Sequence, residues 1–291
     1  MTPLVSIVTV NYRQAEVTCD LLRSIAKLSY PRLETFVVDN GSVEDCTAKF
    51  KSALAGVQVM VSEANLGFAG GNNLAIQQAK GDFIFLVNND TVLSDGLIEA
   101  LVARCQQPGV GVASPKIKYY DTPDVIQYAG FTAVNPLTGR NQAIGQGEVD
   151  RGQHDQARQV PYAHGAAMML RQEVIERVGL MPDHFFLYYE ELDWCEQIRR
   201  AGFQIWYEPA ASILHKESIS TGKASPLKTK YLTRNRILFM RRNFSGLKAG
   251  AFLLFFCMVS FPVHSIKLLL QGNLKNLRAL ASGTWSGLFL A

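Results

Sequence analysis

The sequence predicts an α/β fold, a mostly parallel sheet flanked by helices, and two observations carry that reading. Apolar, β-branched runs alternate with amphipathic stretches at short spacing through the first half of the chain, the mark of βαβ units. The run Phe83-Ile84-Phe85-Leu86-Val87 is apolar without a break, as in a strand covered on both faces. It stops abruptly at Asn88-Asn89-Asp90, and open α/β sheets bind ligands at the carboxyl ends of their strands. Asp90 therefore stands where a phosphate and a hard divalent cation bind, unless Asn-Asn-Asp only makes a polar turn.

Leu4 to Val10 reads as the first strand and ends in Asn11-Tyr12-Arg13. Ala15 to Leu28 follows, with Val17, Leu21, Leu22, Ile25 and Leu28 at helical spacing. Leu33 to Val38 is a second strand, ending in Asp39-Asn40-Gly41-Ser42; a helix over 43–54 and a strand over 57–61 come next. Asn65-Leu66-Gly67-Phe68-Ala69-Gly70-Gly71-Asn72-Asn73 leads into a helix through Ala79, its glycines placed where backbone amides can approach an anion. Beyond Asp90, Ser94 reads as the N-cap of a helix over 95–106, ended by Pro108-Gly109, and Val110 to Ala113 as a short strand. From Lys116 to Gln159 the periodicity fades, which predicts a hairpin and a mobile loop of the kind that shapes a substrate site. Val160 to Leu170, with the small residues of His164-Gly165-Ala166-Ala167, resumes the strand pattern, and Arg171 to Val178 is a short helix. Residues 203–207 and 211–214 read as two short strands, the second leading into His215-Lys216.

Composition narrows the function. With 48% hydrophobic and 19% charged residues over 291 positions, the chain is globular and can bury a sizeable core. A net charge of +4 is modest at this length and argues against nucleic acid as a partner. Five scattered cysteines without a CxxC pair read as reduced thiols, not as a disulfide framework or zinc site. The N-terminal Met-Thr-Pro-Leu-Val-Ser-Ile-Val has no basic leader, so no cleaved signal peptide is expected. A nicotinamide-dinucleotide site would place Gly-x-Gly-x-x-Gly after the first strand, and no glycine stands there.

The second informative stretch is acidic. Glu190, Glu191, Asp193 and Glu196 fall within seven positions after the aromatic run His184 to Tyr189, and Gly202 marks the end of their helix. Carboxylates in a first turn offset the helix dipole, which explains part of the cluster. A helix start beside an aromatic pocket also suits a general base. Neighbouring helical residues point about 100° apart, so one of Glu190 and Glu191 is expected at the site and the other on a backbone or basic partner. His215 is either structural or a metal ligand beside Asp90, imidazole suiting Mn2+.

In the tail, Tyr231 to Asn243 reads as a basic amphipathic helix whose arginines reach a diphosphate, face anionic lipid or are solvated. Between Lys248 and Lys267 lie 18 residues without Lys, Arg, Asp or Glu, the lower limit for a membrane span, with Pro262 and His264 against it. An interfacial or re-entrant helix is favoured, a hairpin packed on the domain or on a second subunit is the alternative, and a single span stays open.

Together, Val38-Asp39-Asn40-Gly41-Ser42, Asn65-x-Gly67-Phe68-Ala69-Gly70-Gly71-Asn72, Asn88-Asn89-Asp90, Gly165-Ala166-Ala167-Met168, Glu190-Glu191-x-Asp193 and His215 resemble, in content and order, an inverting family 2 glycosyltransferase of the GT-A fold. The likeness runs from about Val5 to Asn243 and is strongest to the rhamnosyltransferase-like branch of bacterial surface polysaccharide synthesis. It implies a Rossmann-like catalytic domain over residues 1–225, with a donor half to about 115 and an acceptor half beyond, and a membrane-associating helical tail over 226–291.

The resemblance also implies roles. Asp39 would bind the base or ribose of a dTDP- or UDP-sugar, aided by backbone near Asn11, and Asn65, Gly70, Asn72 and Asn89 would line the donor pocket. Asp90 takes the place of the last acid of the DxD motif and would hold Mg2+ or Mn2+ on the diphosphate, with His215 completing the metal site. Glu191 stands where the second residue of the Glu-Asp pair is the catalytic base, next to Glu190. Two departures stand out: the DxD motif is Asn-Asn-Asp, and the base is Glu where the pattern has Asp. The expected reaction passes a sugar, rhamnose foremost, to a glycan or lipid-linked glycan at the cytoplasmic face of the inner membrane; a homo-oligomer is also open. Two other readings are an inactive sugar-nucleotide-binding paralogue and a sugar nucleotidyltransferase. The latter needs a glycine-rich basic loop after the first strand that Asn11-Tyr12-Arg13-Gln14 does not supply.

Overall fold

The computed structural model describes residues 2–216 and 225–289. The first half alternates as expected: β1 (Val5–Asn11), α1 (Ala15–Ile25), β2 (Leu33–Asn40), α2 (Thr47–Ala53), β3 (Gln58–Ser62), α3 (Gly67–Ile76), β4 (Phe83–Val87), β5 (Thr91–Leu93), α4 (Leu97–Cys105) and β6 (Val110–Tyr119). Then come β7 (Ile126–Tyr128), β8 (Arg158–Gln159), β9 (Ala167–Arg171), α5 (Gln172–Val178), α6 (Glu190–Arg200) and β10 (Gln204–His215). Four helices close the chain: α7 (Pro226–Asn243), α8 (Gly246–Phe255), α9 (Phe261–Leu270) and α10 (Leu274–Phe289).

The sheet runs β3-β2-β1-β4-β9-β6-β10-β5, with β7 beside β6 and β8 beside β10. Its β3-β2-β1-β4 half is parallel. The other half is mixed, because β9 runs antiparallel to both β4 and β6. Every residue of β4 is buried, which is why its sequence shows no polar alternation. Strand order reverses direction between β1 and β4, so their carboxyl ends open a crevice.

Local differences from the sequence expectations have local causes. Helix α2 starts at Thr47 rather than at 43, after Asp45 Oδ1 accepts from the Thr47 amide at 2.8 Å. Ser94 does not cap α4: its hydroxyl donates to the Ser212 carbonyl at 3.1 Å, and Gly96, at φ 82°, begins the helix instead. Gly70 and Gly71 lie inside α3, not ahead of it. The two late strands are one, β10, with a register shift between Glu208 and Ser212. The strand expected from Val160 begins at Ala167. The segment beyond Lys116 is fastened in place: buried Lys116 meets Asp150 at 3.1 Å and Asp155 at 2.5 Å, and Lys118 meets Asp150 at 2.8 Å. Burial works against the Asp150 charge, but the two lysines and the Gly152 amide pull its carboxyl down to about 2.

Each α7 arginine makes contacts within the protein, although Arg241 and Arg242 remain exposed. Arg234 donates to the carbonyls of His184 and Phe185, Arg236 lies over the Phe252 and Phe256 rings, Arg241 holds the Gly287 and Leu288 carbonyls, and Arg242 meets Asp193. Ile237, Phe239 and Met240 join the main core. Helix α10 runs parallel to α7, with Thr229 bonded to Asn276 near one end and Arg241 to Gly287 at the other. Gly283 and Gly287 let the two backbones touch, since a Cβ at either would strike the Lys230 or Arg234 carbonyl.

Between them, Gly246–Leu270 is one continuous apolar helix of 25 residues, whose most apolar window has a mean hydropathy of 1.9 and is 6% buried. At 1.5 Å per residue it is about 37 Å long. Pro262 does not break it. A π-helical segment, Phe256–Ser260, precedes the proline and absorbs its missing donor and its ring.

Candidate active site

The carboxyl ends of β1, β2 and β4 make the floor of the crevice. Asn11 pairs with Asp39 across β1 and β2, and its amide donates to Asp39 Oδ1 at 2.8 Å. A polar chain continues from there: Thr18 donates to Asn11 Oδ1 at 2.8 Å, and Asn89 donates to Thr18 at 3.0 Å. Ser42 also donates to Asp39.

Asn40 organises the rim. Its side chain donates to the Gly67 carbonyl at 2.9 Å and accepts from the Leu66 amide at 2.9 Å. Gly67, at φ 74°, touches the aromatic loop so closely that a Cβ would overlap the Phe186 carbonyl. That carbonyl accepts from the Phe68 amide at 2.7 Å.

The aromatic loop is strained. Phe186, Tyr188 and Tyr189 all have positive φ, at 67°, 70° and 74°, a conformation costly for bulky residues. Asn235 of α7, fully buried, offsets the cost by donating to the carbonyls of Phe185, Leu187 and Tyr188 at 2.9, 2.7 and 2.8 Å. The loop thus delivers the start of α6 to the crevice.

A cavity of about 430 Å³ results, lined among others by Asn65, Asn89, Asp90, Glu190, Glu191 and His215. Six of the residues picked from the sequence thus share one wall-to-wall space. Asn11 and Asp39 sit beneath it, fully buried, and Gly70 and Asn72 stand on α3 away from its lining. The Asn72 amide is used within the helix, on the Phe68 carbonyl at 2.8 Å. Lining residues that carried no expected role include Tyr12, Gln127, His164 and Lys228. His164 stood in the small-residue stretch; Gln127 lay in the segment without periodicity, where no signal marks it.

Both glutamates line the cavity, and each also meets backbone amides, Glu190 with Arg234 nearby. Burial, with the neighbouring Glu191 charge, raises the Glu190 carboxyl well above the usual carboxylate range, against its own and the Tyr188 amides and Arg234. Glu190 Oε2 has no hydrogen-bond partner among the described residues. Burial also raises Glu191, opposed by the amides of Glu191, Leu192 and Tyr189. Glu191 packs along Gly165, where an added Cβ would lie 3.6 Å from its Cγ. Next to Gly165, His164 is half-buried, and desolvation, with the His215 ring beside it, drives its ring down to about 3, so it is neutral. Its Nδ1 accepts from the Ala166 amide at 3.0 Å, which puts its proton on Nε2. The His164 ring stands 6.2 Å from that of His215.

His215 ends β10, opposite Thr91 of β5 and beside Tyr119 of β6. Its Nε2 lies 3.1 Å from Asp90 Oδ1, yet that oxygen makes no hydrogen bond among the described residues. Two electron-pair donors therefore face one another. Octahedral ligands at about 2.1 Å from Mg2+ lie about 3.0 Å apart when adjacent, so this spacing suits a divalent cation. Asp90 and His215 belong to no larger group of His, Cys, Asp or Glu among the described residues. Such sparse protein ligation is normal where phosphate oxygens and water complete the shell.

Residues 6–179 match the family model described as glycosyl transferase family 2, and the chain belongs to that family. An uncharacterised protein of Sinorhizobium fredii is 30% identical over 83% of this chain, which matches only 27% of that protein's length. An N-acetylglucosaminyl-diphospho-decaprenol L-rhamnosyltransferase of Mycobacterium tuberculosis is 24% identical over 77% of this chain and 79% of its own. Among solved structures, a mannosyltransferase of Pyrobaculum calidifontis in complex with GDP-Man and Mn2+ superposes with a TM-score of 0.61 at 17% identity, over 99% of this chain and 88% of that one. The fold is GT-A, as the family and this structural neighbour share it.

Proposed function

We propose that this glycosyltransferase moves a sugar, L-rhamnose foremost, from a dTDP- or UDP-sugar to a lipid-linked glycan in one inverting displacement. The observation that supports it most is that Glu190 and Glu191 share one cavity with Asp90 and His215. An acceptor hydroxyl attacks the anomeric carbon, Glu191 takes the hydroxyl proton, and the bond to the nucleoside diphosphate breaks as the glycosidic bond forms. Burial raises both carboxyls, and in this reading Glu191 is the member of the pair that works as the carboxylate. Asp90 and His215 would hold Mg2+ or Mn2+, which supplies positive charge to the diphosphate leaving group. Asp39 and Asn11 support the nucleoside end of the crevice from below.

The rhamnose and lipid-linked assignments lean on the mycobacterial relative's name. The exposed apolar helix Gly246–Leu270 fits an acceptor held at the cytoplasmic face of a membrane. Nucleoside diphosphate release from a panel of dTDP-, UDP- and GDP-sugars tests the reading, with membrane extract as acceptor source, and with and without EDTA. Release from one pyrimidine donor, lost with EDTA and in Glu191→Gln, is the expected result. Tight donor binding without release under any condition would replace it with the inactive paralogue, which Asn88 in the first DxD position favours.

A further inference from the structure

We propose that Gln127 is a positioning residue for the divalent-cation site: its side-chain oxygen fixes the His215 proton on Nδ1 and keeps the Nε2 lone pair free beside Asp90. The proposal rests on the metal-binding reading given above and adds to it a residue on a separate strand.

His215 Nδ1 and Gln127 Oε1 are 2.8 Å apart, and both residues are buried, at 6% and 5% exposure. An amide oxygen only accepts, so this contact is a hydrogen bond when Nδ1 carries the proton. The neutral ring then has its lone pair on Nε2, the atom 3.1 Å from Asp90 Oδ1. In the other tautomer Nε2 would carry the proton and have no lone pair to offer a cation beside Asp90. Gln127 selects the tautomer that leaves Nε2 open as a ligand. A hydrogen bond to the distal nitrogen also raises the basicity of a ligating imidazole.

The placement follows from the sheet. Strand β6 lies between β10 and β7: His215 pairs with Tyr119, while β7 pairs through Tyr128 with Ile117. Gln127 thereby comes from the opposite flank of β6 to reach His215. The neighbouring Tyr128 packs edge-on against His164 at 5.1 Å and against Phe131 at 4.9 Å, which holds the short β7 in register.

Two measurements decide it. In 15N-labelled wild type without metal at pH 8, two-bond 1H–15N correlations, assigned by their loss in His215→Asn, are expected to show His215 protonated on Nδ1. An Nε2-protonated ring would overturn the proposal without any variant having to fold. Second, Mn2+ affinity in the presence of UDP or dTDP, followed by electron paramagnetic resonance of free Mn2+, is expected to fall 10–100-fold in Gln127→Leu. Gln127→Glu, which still accepts from Nδ1, is expected to restore it. Unchanged Mn2+ affinity in Gln127→Leu would sink the positioning role alone, whereas no Mn2+ binding by wild type with either nucleotide would sink the metal reading with it.

Discussion

The side-chain amide of Asn235 donates to the carbonyl of Tyr188 at 2.8 Å, tying α7 to the residue that precedes the α6 N-cap. Asn235→Ala removes three bonds to a loop with three left-handed aromatic residues. Buried carbonyls left unsatisfied cost about 1–3 kcal/mol, so urea unfolding should show a loss of that order. Turnover is expected to fall further than stability predicts, because the loop places both glutamates.

Glu191→Gln is expected to lower kcat about 10²–10⁴-fold, the range for losing a general base. Glu190→Gln should keep most of the activity and raise the melting temperature at neutral pH, since it replaces a buried acid with a neutral isostere. Equal losses in both variants would mean that the pair shares the base role. Steady-state kinetics and thermal melts on the same samples separate these outcomes.

Activity should also report the raised pair through pH. Glu191 works ionised, so kcat is expected to decline on acidification at a higher pH than an ordinary glutamate, 4.5, would give. Stability runs the other way. A folded-state carboxyl that holds its proton more tightly than the unfolded chain stabilises fully below the ordinary value, and that contribution is lost as pH rises through the raised one. Glu190→Gln should flatten this slope in a pH series of urea midpoints.

Gly67→Ala puts a methyl into the Phe186 carbonyl and a side chain at φ 74°. Strain of this kind costs about 1–3 kcal/mol, and the aromatic loop has to shift to admit it. A donor-site defect, seen as weaker UDP or dTDP binding by calorimetry, should accompany the lowered melting temperature.

These residues also show how much was legible beforehand. The buried β4 run, Asp90 after it and the Glu190-Glu191 start of α6 each have a local pattern, so the alternating strands and helices of the first half and these carboxylates could be read directly. Asn235 and Gln127 could not. Each acts on a partner 47 or 88 positions away, and nothing in the surrounding residues distinguishes a buried amide from a solvated one. The arginines of α7 stayed open among three roles for the same reason: the carbonyls, rings and Asp193 that they meet lie far off in the chain. Gly70 and Gly71 misled differently, because a glycine in a packed helix and a glycine in a phosphate loop have the same letter.

Leu254 and Met258, 66% and 70% exposed, sit on the open face of the apolar helix. The double change Leu254→Glu and Met258→Glu should leave the fold and soluble-donor binding unchanged and reduce co-flotation with anionic vesicles. A shift in oligomeric state by light scattering, with flotation unchanged, would point to a second copy as the covering surface.

The pairing of α7 with α10 bears on sidedness. These two helices flank the apolar helix, run parallel, and are fastened to each other by Thr229 with Asn276 and by Arg241 with Gly287. Threading the segment between them through a bilayer would strand α10 on the far face and break both contacts. While they hold, the chain leaves and rejoins the catalytic body on one side, so a lipid surface would meet the apolar helix from that side alone. Attachment of that kind would need no translocation machinery and would reverse without unfolding.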